Sequence, residues 1–354
     1  MLQSIRDKID RYNTDRAGQV FWAVVATIIL GILLHMSDVS KMVDAFRRAN
    51  KDYMSLSIIF GATAFGIWSM NWHNFFEITG IKAGFARTFQ IFTASRFLNL
   101  VTPLGQFGGQ PIMSYLVWKE SNASYEEALA TLSSADLIVI MPITIYTGIG
   151  YLYLKANGVV PAEVQQASTL ALSLATFGVF MGYMGWRRPA ILKDILFFIA
   201  RQVRFFTGKD SNLVEKIDRF LTNLEDSYRH IGKHPRGIYT SFAFVHASYL
   251  CKIIAFFIIT VSLGMNMSFF EALILIPLVS IANFSPTPGG TGAVEAALSG
   301  LTVVVVGASL STALLATLIY RIATYWLGVV LGYVSMATLS FDADEYADFM
   351  AQRN

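Results

Sequence analysis

The sequence is poor in charge, proline and cysteine. Charged residues make up only 14% of the 354 residues, while hydrophobic residues make up 54%. A water-soluble surface needs roughly 25% charge, so this composition excludes an ordinary soluble protein and indicates a lipid bilayer as the solvent. The single cysteine, Cys251, excludes an internal disulfide and a thiolate metal cluster. Nine prolines against 26 glycines fit closely packed membrane helices.

Several chemical signatures are also absent from the sequence. It contains no HExxH zinc motif and no nucleophile elbow, and no lysine follows its glycine cluster as a nucleotide P-loop would require. The net charge of +3 is slight. We therefore expect no cofactor, no bound metal, no nucleic-acid partner and no enzymatic activity.

Long apolar runs predict the membrane spans. A span needs roughly 20 mainly apolar residues, and the candidates are residues 17–36, 53–72, 125–154, 166–186, 237–263 and 309–340. Two further apolar regions, 84–118 and 268–308, are interrupted by proline and glycine clusters. Such breaks are tolerated at membrane depth only where the backbone is buried in protein or faces a wet cavity. We predict an all-α polytopic membrane protein with about eight membrane helical elements.

The most polar stretch lies between Arg187 and Arg236, with eleven lysines and arginines against six acidic residues. The positive-inside rule makes this stretch cytoplasmic. Its apolar residues recur at helical spacing, which is typical of amphipathic helices on the membrane surface; a small soluble cap of packed helices is the alternative. Counting spans from this stretch predicts a multi-pass plasma-membrane protein with both termini in the cytoplasm.

Two parts of the chain resemble one another. GIKAGFARTF from Gly80 matches GMNMSFFEAL from Gly264, and ALATL from Ala128 matches LLATL from Leu314, with offsets of 184 and 186 residues. The breaks TPLGQFGGQP and SPTPGGTG fall at corresponding places. Each copy would contain a span, a broken or re-entrant helical hairpin and a long span. The predicted topology makes the two repeats inverted, an arrangement of alternating-access transporters that bind substrate where broken helices meet.

This organisation predicts five segments along the chain. They are an N-terminal segment with the first transmembrane helix at 1–52, repeat 1 at 53–154, a connecting transmembrane helix with cytoplasmic amphipathic helices at 155–236, repeat 2 at 237–340 and a cytoplasmic tail at 341–354. The re-entrant regions are 84–118 in repeat 1 and 268–308 in repeat 2.

Two pairs of motifs resemble the lysylphosphatidylglycerol synthase transmembrane family, which includes the flippase domain of the multiple peptide resistance factor and YbhN-like membrane proteins. They are PTPGGTGAVEAA with LIYRIATYW, and SRFLNLVTPLGQFGGQP with SYEEALATL. The likeness runs roughly from Ala17 to Leu339. It implies a flippase-like fold that moves aminoacylated or glycosylated lipid between leaflets. The chain ends at Asn354, so we expect the soluble aminoacyl-transferase domain of larger relatives to be absent, and their substrate is not carried over.

Arginines inside the predicted spans are the first candidates for substrate binding, because ionisable groups in a bilayer are costly. Arg96 and Asn99 lie three residues apart just before the first break, and Arg321 and Tyr325 lie four apart on the last long helix. An arginine fork suits the phosphate of a lipid head group. A structural ion pair that locks two helices is the alternative.

The two breaks supply the remaining candidates. Gly289, Gly290, Gly292 and Thr287 could direct N–H groups at an anion, or form a bare helix break. Glu295 could pair with an arginine, carry a proton or favour the helix dipole. Asp136 is the expected counter-charge of Arg96 or Arg321. The amides Gln106, Gln110 and Asn283 complete the candidate set, whereas His246 and Lys252 receive no role.

These features predict a lipid flippase-like transporter. It would move an anionic, aminoacylated or glycosylated lipid between leaflets through a cavity between the repeats, with membrane lipids as partners and a homodimer left open. One alternative is an intramembrane lipid-modifying enzyme that uses Asp136, Glu295 and a histidine as acid and base. Another is a small-solute or ion transporter on the same architecture.

Overall fold

The computed structural model describes residues 20–101, 105–158, 160–187, 233–339 and 343–352, and these residues form helices joined by short turns. Within these ranges, five helices are long and apolar enough to cross a membrane, and a bent pair near the N-terminus adds a sixth. The predicted all-α polytopic fold is thereby confirmed. The amphipathic helices expected between Arg187 and Arg236 lie outside the described residues.

The bent pair consists of α1 (Val20–Met36) and α2 (Val39–Arg48), which meet at 79°. Helix α2 is strongly amphipathic: Met42 packs into the core, while apolar side chains at Val39, Val43 and Phe46 are exposed. This pattern is typical of a helix in the membrane interface. The sequence analysis missed α2 because ten residues are too few for a span.

The first half of the bundle consists of five helices. They are α3 (Lys51–Thr79), α4 (Phe85–Val101), α5 (Gly105–Glu120), α6 (Tyr125–Leu137) and α7 (Ile140–Ala156). Helix α3 ends at Gly80, which adopts the left-handed conformation that glycine tolerates best. Helices α4 and α5 are the two arms of the predicted broken region. Helices α6 and α7 follow one another closely enough to form one long, distorted span.

Helix α8 (Ala162–Arg187) connects to the second half, which has the same order of elements. Its members are α9 (Pro235–Ser262), α10 (Phe269–Val279), α11 (Ala293–Val306), α12 (Leu310–Arg321) and α13 (Leu327–Thr338). Two 3₁₀ turns, Ser280–Phe284 and Pro288–Gly290, form the break between α10 and α11, and a π-helical turn, Ile322–Trp326, joins α12 to α13. The inverted orientation of the two halves stays a prediction.

The two halves pack against one another through α3 and α9. In addition, the first helix of each broken region packs against the other half. At the centre, Ser57 donates a hydrogen bond to the Ala255 carbonyl at 2.7 Å, and Ser248 donates to the Ala64 carbonyl at 2.8 Å. Helix α4 packs against α13, and its counterpart α10 packs against α7. The reciprocal contacts leave a space between the halves.

A glycine allows each of these reciprocal contacts to be close. A Cβ atom at Gly332 of α13 would stand 2.4 Å from the Thr93 carbonyl oxygen of α4. A Cβ atom at Gly150 of α7 would stand 2.6 Å from the Ile274 Cβ of α10. Small residues at such crossings are how membrane helices gain packing energy without a hydrophobic driving force.

The predicted cytoplasmic tail contains a helix, α14 (Ala343–Gln352). Its Tyr346 and Phe349 rings contact Tyr115, while Phe349 also stacks on Trp118 at 4.4 Å between ring centroids. The tail helix is therefore docked on α5 of the first half.

We expect the variant Gly332→Ala to destabilise the protein by about 1–3 kcal/mol, because the added methyl group overpacks the contact between α4 and α13. Gly300→Ala is the matched control, since a Cβ atom at this helical glycine meets nothing within 4 Å. Thermal unfolding in detergent micelles measures both. Equal melting temperatures for the two variants would contradict the close-packing interpretation.

Candidate functional site

A cavity of about 320 Å³ lies between the two halves of the bundle. Its walls come from both arms of the first broken region, from α3 and α9, and from α10 and α12 with the turns that follow them. Four charged residues line it: Arg96, Asp136, Lys252 and Arg321. Most of the remaining lining is aromatic or aliphatic, so these charges stand in a largely apolar enclosure.

Arg321, at the end of α12, forms a buried ion pair with Glu295 in the first turn of α11. Its Nε lies 2.8 Å from the Glu295 Oε1 atom, and the two side chains are only 6% and 5% exposed. The other carboxylate oxygen, Oε2, accepts a hydrogen bond from the Gly292 N–H at 2.7 Å. The pair ties the broken helix of the second half to the long helix beside it.

The glycine cluster presents a backbone carbonyl, and not N–H groups, to Arg321. Arg321 Nη2 donates to the Gly289 carbonyl at 3.1 Å and to the Thr291 hydroxyl at 3.5 Å. The N–H groups of Gly290, Thr291 and Gly292 donate to Thr287, Pro288 and Glu295 respectively. Three of the N–H groups that would form the predicted anion cradle therefore already have acceptors within the chain, and the cradle itself stays a prediction.

The break nonetheless requires glycine. Gly289 has a φ of +56°, and a Cβ atom there would stand 2.2 Å from the Tyr325 ring. The same Tyr325 ring lies beneath the Arg321 guanidinium, with its centroid 4.1 Å from Cζ. Tyr325 belongs to the π-helical turn, and such turns are frequent at functional sites. The loop, the arginine and the ring thus form one packed wall of the cavity.

Asp136, near the end of α6, accepts a hydrogen bond from the first broken region. Gln110 Nε2 of α5 donates to the Asp136 Oδ2 atom at 2.6 Å. The expectation that Asp136 balances Arg321 is wrong, because Glu295 occupies that role. Asp136 and Arg96 line the same cavity, and the alternative expectation, that Asp136 is the counter-charge of Arg96, stays a prediction. No ion pair within 4.0 Å joins them.

The bonds Gln110–Asp136 and Glu295–Arg321 occupy corresponding places in the two halves. Each joins residues 26 positions apart, and the two bonds are offset from one another by 185 residues. Each also precedes a distortion of the long helix, at residues 138–139 in the first half and at Ile322–Trp326 in the second. This correspondence supports the internal repeat, while the charges differ between the halves.

Arg96 and Lys252 are the two cations of the described lining that form no ion pair with a carboxylate. Within the described ranges, neither side chain forms a hydrogen bond or an ion pair. The Lys252 ammonium rests on two aromatic faces, 4.9 Å from the Trp68 ring centroid and 4.8 Å from that of Tyr249. Arg96 lines the same cavity, where Asp136 is the one carboxylate of the described lining. Two cations that share one carboxylate in a bilayer interior are costly, and such groups mark a candidate site of function.

The sequence analysis missed Lys252 as a site residue. The available signal was its isolation, because it is the only lysine or arginine between Arg236 and Arg321 and it stands in the middle of a span. The sequence around Lys252 does not indicate which residues it contacts, because Trp68 and Arg96 lie more than 150 positions away along the chain. Tyr249, three residues earlier on the same helix face, was also missed.

The remaining candidates divide between the cavity and the packing around it. Asn283 lines the cavity and donates to the Ser280 carbonyl at 3.2 Å. Asn99 is buried against Gly109 and does not line the cavity. Thr287 is buried and bonds the Ser285 hydroxyl at 2.7 Å. Gln106 belongs to α5, and its side chain lies outside the described part of the chain.

We expect Glu295→Gln and Arg321→Gln each to destabilise the protein by about 3–5 kcal/mol, because each leaves a buried charge without its counter-charge. Unfolding in mixed detergent micelles gives the free energies. The control is Lys41→Met, which breaks the exposed pair with Asp38 and should cost much less, because water screens exposed charges. If Glu295→Gln and Arg321→Gln lower the free energy of unfolding no more than Lys41→Met does, the ion pair does not hold α11 against α12.

Comparisons with known proteins agree with this architecture. Residues 20–332 match the family described as the Lysylphosphatidylglycerol synthase TM region. A UPF0104 membrane protein of Pyrococcus horikoshii is 22% identical over 314 residues, which cover 87% of this chain and 93% of the relative. A UPF0104 membrane protein of Methanothermobacter thermautotrophicus is 22% identical over 321 residues, covering 88% and 93%. The chain is an integral membrane protein that belongs to the lysylphosphatidylglycerol synthase transmembrane family.

Proposed function

We propose that this protein transports a lipid between leaflets by admitting its phosphate-bearing head group to the cavity between the two halves. The observation that carries the proposal is the placement of Arg96 and Lys252, two cations that form no ion pair, on one small enclosure inside the bundle. An anion is the ligand that relieves their repulsion and supplies the missing hydrogen-bond acceptors.

The size of the cavity favours a head group over a whole lipid. A volume of about 320 Å³ is at the lower end of small-molecule sites, so the acyl chains stay outside. Phe284 lines the cavity and is 51% exposed, which supports an opening for the head group at this wall. A lipid would then move with its head group among the charges and its chains in the bilayer, along the apolar outer surfaces of the helices.

Two features favour transport over acid–base catalysis. The titratable side chains of the described lining are one carboxylate, Asp136, three cations, and the tyrosines Tyr249, Tyr320 and Tyr325. This lining contains no histidine, no cysteine and no second carboxylate to complete an acid–base pair of the usual kind. His246, which an enzyme could use, bonds the Tyr146 hydroxyl at 2.9 Å and does not line the cavity. The repeated arrangement of broken helices is in addition a feature of alternating-access transporters.

We expect Arg96→Gln to slow lipid transfer about tenfold to a hundredfold, because a hydrogen bond to a charged group contributes about 1.5–3 kcal/mol. The assay reconstitutes the protein in liposomes with a fluorescent phosphatidylglycerol and measures the labelled lipid that a membrane-impermeant quencher can reach. Arg47→Gln on the exposed face of α2 is the matched control and should transfer lipid at the wild-type rate.

A parallel measurement of phosphate uptake distinguishes a lipid head group from a free anion. Labelled inorganic phosphate should not enter the same liposomes. Uptake of phosphate with no transfer of lipid would overturn the proposal in favour of a small-solute transporter, and equal lipid transfer by wild type and Arg96→Gln would contradict the role of the cavity.

A further inference from the structure

The charges around the cavity discriminate between classes of lipid head group. Arg321 is neutralised by Glu295 at 2.8 Å and adds little net charge. Arg96 and Lys252 contribute two formal positive charges, and Asp136 contributes one formal negative charge, so the rest of the described lining carries a formal net charge of +1. Such an enclosure accepts one net negative charge from its ligand. A ligand that brings further positive charge is repelled.

The acceptor groups at the cavity indicate what else the ligand carries. Gln110 gives its amide N–H to Asp136, while its Oε1 atom is buried and has no hydrogen-bond partner in the described part of the chain. The Asp136 carboxylate beside it is also an acceptor. A buried acceptor without a donor is costly, and hydroxyl groups on a head group supply donors without adding charge.

We infer that the head group is an anionic phosphodiester that carries hydroxyl groups, such as a glycerol or sugar phosphate, and that aminoacylated head groups are excluded. This inference rests on the transport function proposed above. The phosphate contacts Arg96 and Lys252, and the hydroxyl groups donate to Asp136 and Gln110. An aminoacyl group would place an ammonium beside two cations, and Asp136 is the one carboxylate of the described lining that could receive it.

Lys252 is the residue that sets this specificity. Its ammonium has three N–H donors, but it rests on the faces of Trp68 and Tyr249, which offer a weaker contact than an oxygen acceptor. A phosphate oxygen can therefore bind Lys252 without breaking a hydrogen bond or an ion pair of the described residues. Without the lysine, the charges of Arg96 and Asp136 cancel, and the cavity no longer favours an anion over a zwitterion.

The experiment compares three lipids labelled identically on an acyl chain: phosphatidylglycerol, phosphatidylethanolamine and lysylphosphatidylglycerol. The wild-type protein in liposomes should transfer phosphatidylglycerol at least about tenfold faster than the other two. Lys252→Met should reduce the preference for phosphatidylglycerol over phosphatidylethanolamine by about tenfold or more, and Lys252→Arg should restore it. The control Lys41→Met, on the exposed face of α2, should leave the preference unchanged.

Binding to the purified protein gives a second measurement that does not depend on transfer. Native mass spectrometry with the same lipids should show phosphatidylglycerol retained by the wild type and lost from Lys252→Met. The melting temperature of Lys252→Met should not fall, because the substitution removes an uncompensated buried charge and retains a side chain of similar length. A lower melting temperature with unchanged lipid preference would assign Lys252 a structural role and overturn the inference.

The outcomes separate the two proposals. If no lipid is transferred but phosphatidylglycerol is bound selectively through Lys252, the transport function fails and the head-group class stands. If lysylphosphatidylglycerol is transferred and bound as well as phosphatidylglycerol, the head-group class is wrong and transport stands.

Discussion

The buried ion pair of Glu295 with Arg321 holds the geometry on which the cavity depends. It joins the first turn of α11 to the end of α12, and the Gly289 carbonyl and the Gly292 N–H complete its hydrogen bonds. Two charges in a low-dielectric interior are tolerated only when their contacts are this complete. With Arg321 neutralised by Glu295, the positive charge available to a ligand at the cavity is that of Arg96 and Lys252, which Asp136 offsets in part.

The two halves of the bundle have a hydrogen bond at corresponding positions, but the charges of the bonded side chains differ between the halves. A residue of the broken helix bonds a residue of the long helix in both halves, at the same separation of 26 residues. In the second half, the bond joins opposite charges and closes the wall. In the first half, a neutral amide holds Asp136, so the acid remains available to the cavity and balances only part of its positive charge.

The sequence predicted the class of fold and most of the charged residues at the cavity. Spans are readable because about 20 apolar residues are needed to cross a bilayer, and Arg96, Asp136 and Arg321 were identifiable because ionisable groups inside spans are rare. Their pairing was not readable. Arg321 pairs with Glu295, the partner that the sequence left open, and not with Asp136, because the choice depends on how α11 and α12 fold back on one another.

The features that the sequence did not reveal depend on contacts between distant elements. Lys252 is recognisable as a site residue only because Arg96 of α4 and Trp68 of α3 line the same cavity. The glycines at 289, 290 and 292 predicted a break correctly, but a glycine can serve either an N–H cradle or a close approach. The Tyr325 ring and the φ of +56° at Gly289 support the close-packing interpretation at that position.

Determination of the structure in nanodiscs that contain phosphatidylglycerol tests the central claim most directly. The account predicts density for a phosphate within hydrogen-bond distance of both Arg96 and Lys252, with acyl chains leaving the cavity beside Phe284. A cavity filled by acyl chains, or Arg96 and Lys252 both drawn into ion pairs with protein carboxylates and no head group present, would contradict it.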